Sequence, residues 1–133
     1  MTHQIYPCLW FDGQAKAAAE FYCSVFKNSK ILSDSPMVVT FELNGTKFMG
    51  LNGGPQFKFN EAVSFIINCK DQDEIDRYWS ELSAVPEAEQ CGWCKDKYGL
   101  SWQVVPEGME DMMKKPGAFA RMLEMKKIVI ADL

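Results

Sequence analysis

The sequence predicts an α+β fold built from two related modules in one chain, and three observations carry that prediction. A length of 133 residues suits one compact domain and excludes two independent large ones, at roughly 100 to 200 residues per domain. The order strand, helix, further strands occurs twice, and a shift of about 56 residues lays Tyr22 over Tyr78 and Phe26 over Leu82. Asn44-Gly45 sits between two β-prone runs, where it tolerates the positive φ angles of a type I′ hairpin turn. Each half alone would keep one apolar face open, so pairing the halves is the natural way to bury it.

The run from Gln4 to Phe11 is apolar and β-prone, and Asp12-Gly13 ends it with a turn and a candidate helix cap. Ala15, Ala18, Tyr22 and Val25, joined by Ala19 and Phe26, fall at helical spacing, which predicts a helix over about 14–27 with Lys16 and Glu20 on its wet side. Met37 to Leu43 and Thr46 to Leu51 form the hairpin, ended by Gly53-Gly54-Pro55. Ala62 to Cys69 reads as a strand. Asp71 and Glu74 then make an N-terminal capping arrangement for a helix over 71–84, whose buried stripe is Ile75, Tyr78, Trp79 and Leu82. Gln90 to Lys95 and Leu100 to Val105 read as a strand pair joined through Asp96-Lys97-Tyr98-Gly99, and Pro106 breaks the sheet pattern. The tail is helical and rich in methionine and lysine.

Composition narrows the function. Hydrophobic residues at 47% and charged residues at 24% describe an ordinary globular chain, and a net charge of −4 disfavours nucleic acid or an anionic membrane as the main partner. No apolar run approaches the ~18 residues of a membrane helix, and Met1-Thr2-His3-Gln4 lacks the parts of a signal peptide, which predicts a cytoplasmic protein. Five cysteines, an odd number, fit a reducing compartment in which most act as small buried hydrophobes. His3 is the single histidine, and its place at the terminus disfavours histidine-based catalysis.

Leu9-Trp10-Phe11-Asp12-Gly13-Gln14-Ala15, Phe21-Tyr22, Phe48 to Gly54 and above all Asp96-Lys97-Tyr98-Gly99-Leu100-Ser101-Trp102-Gln103-Val104-Val105-Pro106 carry a resemblance. They resemble the PhnB-like group labelled 3-demethylubiquinone-9 3-methyltransferase domain, within the vicinal oxygen chelate superfamily of glyoxalases, extradiol dioxygenases and bleomycin-binding proteins. The resemblance spans nearly the whole chain. It implies a single glyoxalase-like domain over 1–133: paired βαβββ modules, about 1–57 and 58–106, curl a mixed sheet around a cleft, and a helical tail covers 107–133. Dimers are common in the superfamily, and Met109, Met112, Met113, Met122 and Met125 in the tail suit an adaptable partner surface, so a homodimer is expected. The connection from Ile31 to Met37 and the region from Pro106 to Met122 are shorter than is usual in the group.

Metal-dependent relatives place His or Glu at four positions. By the same resemblance these fall on Ile5 or Pro7, Gly50 or Asn52, Ala62 and Gln103, none of which offers an imidazole or a carboxylate, so no metal and no other cofactor is expected. Cys91-Gly92-Trp93-Cys94 looks like a redox or zinc motif. In an extended strand, however, its thiols would lie ~10 Å apart, beyond disulfide reach, and the motif supplies two of zinc's four ligands. Asp71, Asp73, Glu74 and Asp76 match a helix start better than a calcium loop. Among Trp10, Trp79, Trp93 and Trp102, Trp93 is the strongest cleft candidate. A methyl-donor site would want a glycine-rich turn leading into a helix of a doubly wound sheet, whereas Asn52-Gly53-Gly54-Pro55 precedes a strand.

The expected function is metal-independent binding of a small molecule. Asn52, Ser64, Ser101 and Gln103 supply hydrogen bonds, with Asn52 near Gln103 at the base of the cleft, and Phe11 and Trp93 form apolar walls. Strand alternation places Ser101, Gln103 and Val105 on one face and Trp102 and Val104 under the helices; the other module strand offers Ser64, Ile66 and Asn68. The alternative is a lyase, isomerase or transferase acting on a small polar substrate, with Glu42, Glu61 and Asp96 as candidate acids or bases. A residual cleft in a structural dimer module is the third reading.

Overall fold

The computed structural model describes residues 4–133, so the expectation about His3 lies outside the described residues. The chain divides into two compact units, one ending at Lys58 and the other spanning Phe59–Leu133. Among the described residues no helix is long and apolar enough to cross a membrane.

The first unit contains β1 (Cys8–Phe11), α1 (Ala15–Val25), β2 (Lys30–Asp34), β3 (Val38–Leu43) and β4 (Thr46–Asn52). Its sheet runs in the order β1-β4-β3-β2, with β1 parallel to β4 and the other pairs antiparallel. Asn44 and Gly45 take φ of 50° and 86°, the double positive turn that their types tolerate, and pair Leu43 with Thr46. One sheet face, formed by Leu9, Phe11, Val39, Phe41, Leu43 and Phe48, is buried together with Ala15, Ala18, Ala19, Tyr22 and Val25 of α1. The rings of Tyr22, Phe41 and Phe48 stack in sequence at 6.3 and 5.5 Å. The helix comes so close that a Cβ on Gly50 would lie 3.2 Å from that of Ala15.

Lys30–Asp34, expected to be largely connection, is an edge strand bulged between Ile31 and Ser33. Only Ile31 is part-covered, so backbone pairing with β3 rather than side-chain burial makes this a strand, and alternation could not reveal it. The expected cap at Asp12-Gly13 is also replaced: Gln14 occupies the cap position without a side-chain bond, and Asn52 Oδ1 accepts from Ala15 N at 2.9 Å.

The second unit contains β5 (Ser64–Cys69), α2 (Gln72–Leu82), a 3₁₀ turn at Pro86–Ala88, β6 (Trp93–Lys95), β7 (Ser101–Pro106), α3 (Met109–Met112), α4 (Ala118–Leu123) and a last 3₁₀ turn at Ile130–Asp132. Its sheet order is β5-β7-β6, with β5 parallel to β7 and β6 antiparallel to it. β1 and β5 begin 56 residues apart, and each runs parallel to the last strand of its own unit, so the repeat read from the sequence is present in the topology. The repeat is incomplete. Where β2 follows α1, the second unit has the 3₁₀ turn, whose Pro86 supplies no backbone donor to a ladder. Asp71 Oδ1 accepts from Glu74 N at 3.0 Å while Glu74 Oε1 accepts from Lys70 N at 2.8 Å, the reciprocal capping expected for α2.

The tail is tied into its own unit. Cys91 N and Gly92 N donate to Met125 O and Lys126 O, Ile128 is fully buried, and the Gln72 side chain bonds both Ile128 O and Ile130 N. Lys127 reaches Asp76 at 2.8 Å. The five tail methionines are half-buried.

Candidate functional site

Alternation along β7 divides the second sheet as the sequence implies. Trp102 and Val104 are buried at 3% and 0% exposure, with Cys94 directly across from Trp102 and the Phe65 ring 5.7 Å away. The opposite face is the open one. Ladder register sets two rows on it: Ser64, Ser101 and Lys95 in one, Ile66, Gln103 and Trp93 in the other. Gln103 Nε2 donates to Ser64 Oγ at 3.0 Å, which leaves the Gln103 carbonyl as an acceptor on this face. At the β6 edge lies a pocket of about 320 Å³ whose lining includes Trp93, Cys94 and Lys95 of β6 together with Ser101, Glu61 and Cys91. Lys95 Nζ stands 3.1 Å from Glu61 Oε1, and this pairing holds the Glu61 carboxyl below its ordinary value.

The structure thus brings together four of the six expected site residues: Ser64, Trp93, Ser101 and Gln103. Phe11 and Asn52 require correction, because both lie on the helix-covered face of the first sheet. Phe11 is 3% exposed, and its ring lies 3.4 Å from the position of a Cβ on Gly50, so it is core rather than a cleft wall. Asn52 commits both ends of its amide locally, accepting from Ala15 N and donating to Pro36 O at 3.0 Å. The open side of β1 carries Cys8 and Trp10 instead. Trp10 donates from Nε1 to Gly54 O at 2.8 Å, and a Cβ on Gly53 would come within 2.3 Å of its ring. The glycine pair is a seat for an indole.

Asp96-Lys97-Tyr98-Gly99-Leu100-Ser101-Trp102, the most distinctive stretch of the sequence, is a structural knot. Asp96 is fully buried; its Oδ1 accepts from Tyr98 N at 2.8 Å and Leu100 N at 3.1 Å, and its Oδ2 accepts from Trp102 Nε1 at 2.8 Å. One carboxylate therefore closes the loop between β6 and β7 and fixes the tryptophan behind the open face. Both oxygens of Asp96 are accordingly committed to this loop.

The two cysteines of Cys91-Gly92-Trp93-Cys94 do not lie on one extended strand as expected. Cys91 and Gly92 have φ of 38° and 89° and form a tight turn in which Gln90 and Trp93 exchange backbone bonds of 3.1 and 2.7 Å. Cys94 is buried on the covered face, where desolvation first, and then the carboxylates of Asp96 and Glu89, push its thiol up to about 12. A thiol so protonated is inert at neutral pH. Lys95 was the residue that sequence reasoning missed: it is two positions after Trp93 and so on the same face, a signal that alternation already carried.

The residues present do not fit a divalent ion. Ile5, Pro7 and Gly50 carry no side-chain donor, Ala62 has none, Asn52 is committed to α1, and Gln103 offers one neutral oxygen. Among the described residues no three His, Cys, Asp or Glu side chains come together.

The family model described as 3-demethylubiquinone-9 3-methyltransferase matches residues 3–105. The chain belongs to that family. The PhnB protein of Bacillus cereus is 31% identical, covers 78% of this chain and 99% of its own, and superimposes with a TM-score of 0.66. Protein PA1353 of Pseudomonas aeruginosa matches at 19% identity and TM-score 0.62 over 80% of this chain and 98% of its own. Lactoylglutathione lyase of Agrobacterium tumefaciens matches at 16% identity and TM-score 0.52 over 81% and 96%. The likeness to the lactoylglutathione lyase shows that this PhnB-like chain shares a glyoxalase-like fold. No curated protein matches the sequence.

Proposed function

We propose that this PhnB-like chain is a metal-independent small-molecule binding protein of the cytoplasm that works as a homodimer. The observation that carries the reading is the open face of the second sheet, where Gln103, Ser64 and Ser101 set hydrogen-bonding groups beside the Trp93 wall of a pocket. A concave, largely apolar site with a few fixed polar groups is what small-ligand recognition requires. The metal-free part rests on the donor set, since a divalent ion needs charge neutralisation that an amide oxygen does not provide. The methyltransferase activity in the family's name draws no support from these residues, because Gly53 and Gly54 accommodate Trp10. For the alternative, a lyase, isomerase or transferase, Asp96 is spent on its loop and Glu61 is paired with Lys95.

A metabolite panel screened by thermal shift tests the reading, because a ligand that binds only the native state raises apparent stability. Binders should perturb the amide resonances of Trp93, Ser101 and Gln103, and Gln103→Ala should weaken them by about 1 kcal/mol. Binders that leave those three signals unmoved would refute it. Sedimentation at micromolar concentration tests the dimer, and a monomer there rejects it.

A further inference from the structure

Two features of the pocket bear on what it takes, granted the binding role proposed above. The first is the asymmetry of the Lys95–Glu61 pair. The Lys95 side chain is 22% exposed and fixed on β6, whereas Glu61 is 63% exposed and lies on the turn before β5. Both side chains line the pocket, the cation as the more enclosed of the two and the carboxylate as the more exposed. The second is Ser101, directly across the ladder from Lys95, lining the pocket at 1% exposure. Among the described residues no protein group hydrogen-bonds its hydroxyl. No fully enclosed side-chain N or O of the described residues lacks a partner, so this hydroxyl keeps a small accessible area in a residue that lines the pocket. An ammonium and an unpartnered hydroxyl thus come from residues paired across one ladder, with Trp93 two residues along the strand.

We propose that the pocket takes a small carboxylate with a flat apolar body, whose carboxyl group displaces Glu61 from Lys95. One carboxylate oxygen accepts from Lys95 Nζ and the other from Ser101 Oγ, while the apolar body lies along Trp93. Glu61 is the internal stand-in: it satisfies Lys95 when no ligand is bound and swings into solvent when one arrives. A neutral isostere leaves the Lys95–Glu61 pair standing and forgoes the charge-assisted bond.

The test titrates benzoate, benzamide and benzylamine into the full chain, following the backbone amides of Trp93, Lys95 and Ser101 by nuclear magnetic resonance. Benzoate is expected to bind on the order of tenfold more tightly than benzamide, with benzylamine weakest. Glu61→Gln removes the competitor and should tighten benzoate about two- to fivefold, the scale of a solvent-accessible ion pair, with benzamide unchanged. Lys95→Met keeps the aliphatic stem and should erase the preference for benzoate, and a wild-type amide fingerprint checks its fold. Glu61→Gln reads the same competition from an exposed turn should Lys95→Met fold poorly. Benzamide binding as well as benzoate at these amides, benzylamine binding more tightly than either, or benzoate weakened by Glu61→Gln overturns the carboxylate assignment while the binding face stands. If neither the three probes nor the metabolite panel moves these amides, the binding function itself fails along with it.

Discussion

Asp96→Asn is the substitution that most directly probes how this sequence holds its site. The replacement is nearly isosteric and removes one charge. Its amide oxygen can take over from Oδ1 and accept from Tyr98 N and Leu100 N, but its NH₂ group then meets Trp102 Nε1–H, donor against donor. Losing a hydrogen bond to a charged group costs about 1.5 to 3 kcal/mol, and stranding the buried indole N–H adds about 1 to 3 kcal/mol. The expected loss is therefore about 2.5 to 6 kcal/mol, against a total stability of about 5 to 15 kcal/mol for a domain of ordinary size. Urea denaturation measures it, with the midpoint shift multiplied by the common slope. Trp102→Phe keeps a smaller aromatic ring and deletes the donor; a double-mutant cycle cancels the lost packing and isolates the Asp96–Trp102 coupling, so the two changes should be markedly non-additive. A loss under about 1 kcal/mol for Asp96→Asn, or simple additivity with Trp102→Phe, refutes the claim that this carboxylate closes the loop.

Gly53→Ala places a methyl 2.3 Å from the Trp10 ring, so the indole or the loop must move; an overpacking cost of about 1 to 3 kcal/mol and a changed Trp10 side-chain N–H resonance are expected. Cys8 is exposed, whereas Cys69 and Cys94 are buried with thiols pushed up to about 12, chiefly by burial. Ellman titration of the native protein at pH 8 should therefore label Cys8 and reach Cys69 and Cys94 only on unfolding, and early labelling of Cys94 would contradict the packing. For those two thiols the folded value exceeds the ordinary 9.0. Their contribution to stability is then complete below about pH 9 and lost as pH rises from about 9 toward 12, seen as a falling urea midpoint over that range. Gln103→Glu should create no tight zinc site, since the other three positions still lack donors; isothermal titration showing near-stoichiometric micromolar binding at this residue would overturn that.

Where side chains act through their immediate neighbours, the sequence was sufficient. The spacing of Ala15, Ala18, Tyr22 and Val25 specified α1 and its buried stripe, because a 3.6-residue period leaves one face to the core. Asn44-Gly45 specified its turn through the backbone angles it tolerates, Asp71 with Glu74 specified the start of α2, and alternation set Gln103 and Ser101 opposite Trp102 and Val104. The tertiary structure decided what depends on partners remote in sequence. Alternation splits β1 into Leu9 with Phe11 and Cys8 with Trp10, but both sets are apolar, so only the docking of α1 reveals which is inside. Asn52 looked like a cleft group until the amide of Ala15, 37 residues away, was found to claim it. Asp96 looked available until the fold enclosed it with three donors, and Lys95 gained meaning only when Glu61 was brought to it from the turn before β5. Local periodicity and turn chemistry are written in adjacent residues; the identity of a buried polar group's partner is a long-range property, fixed only when the chain packs.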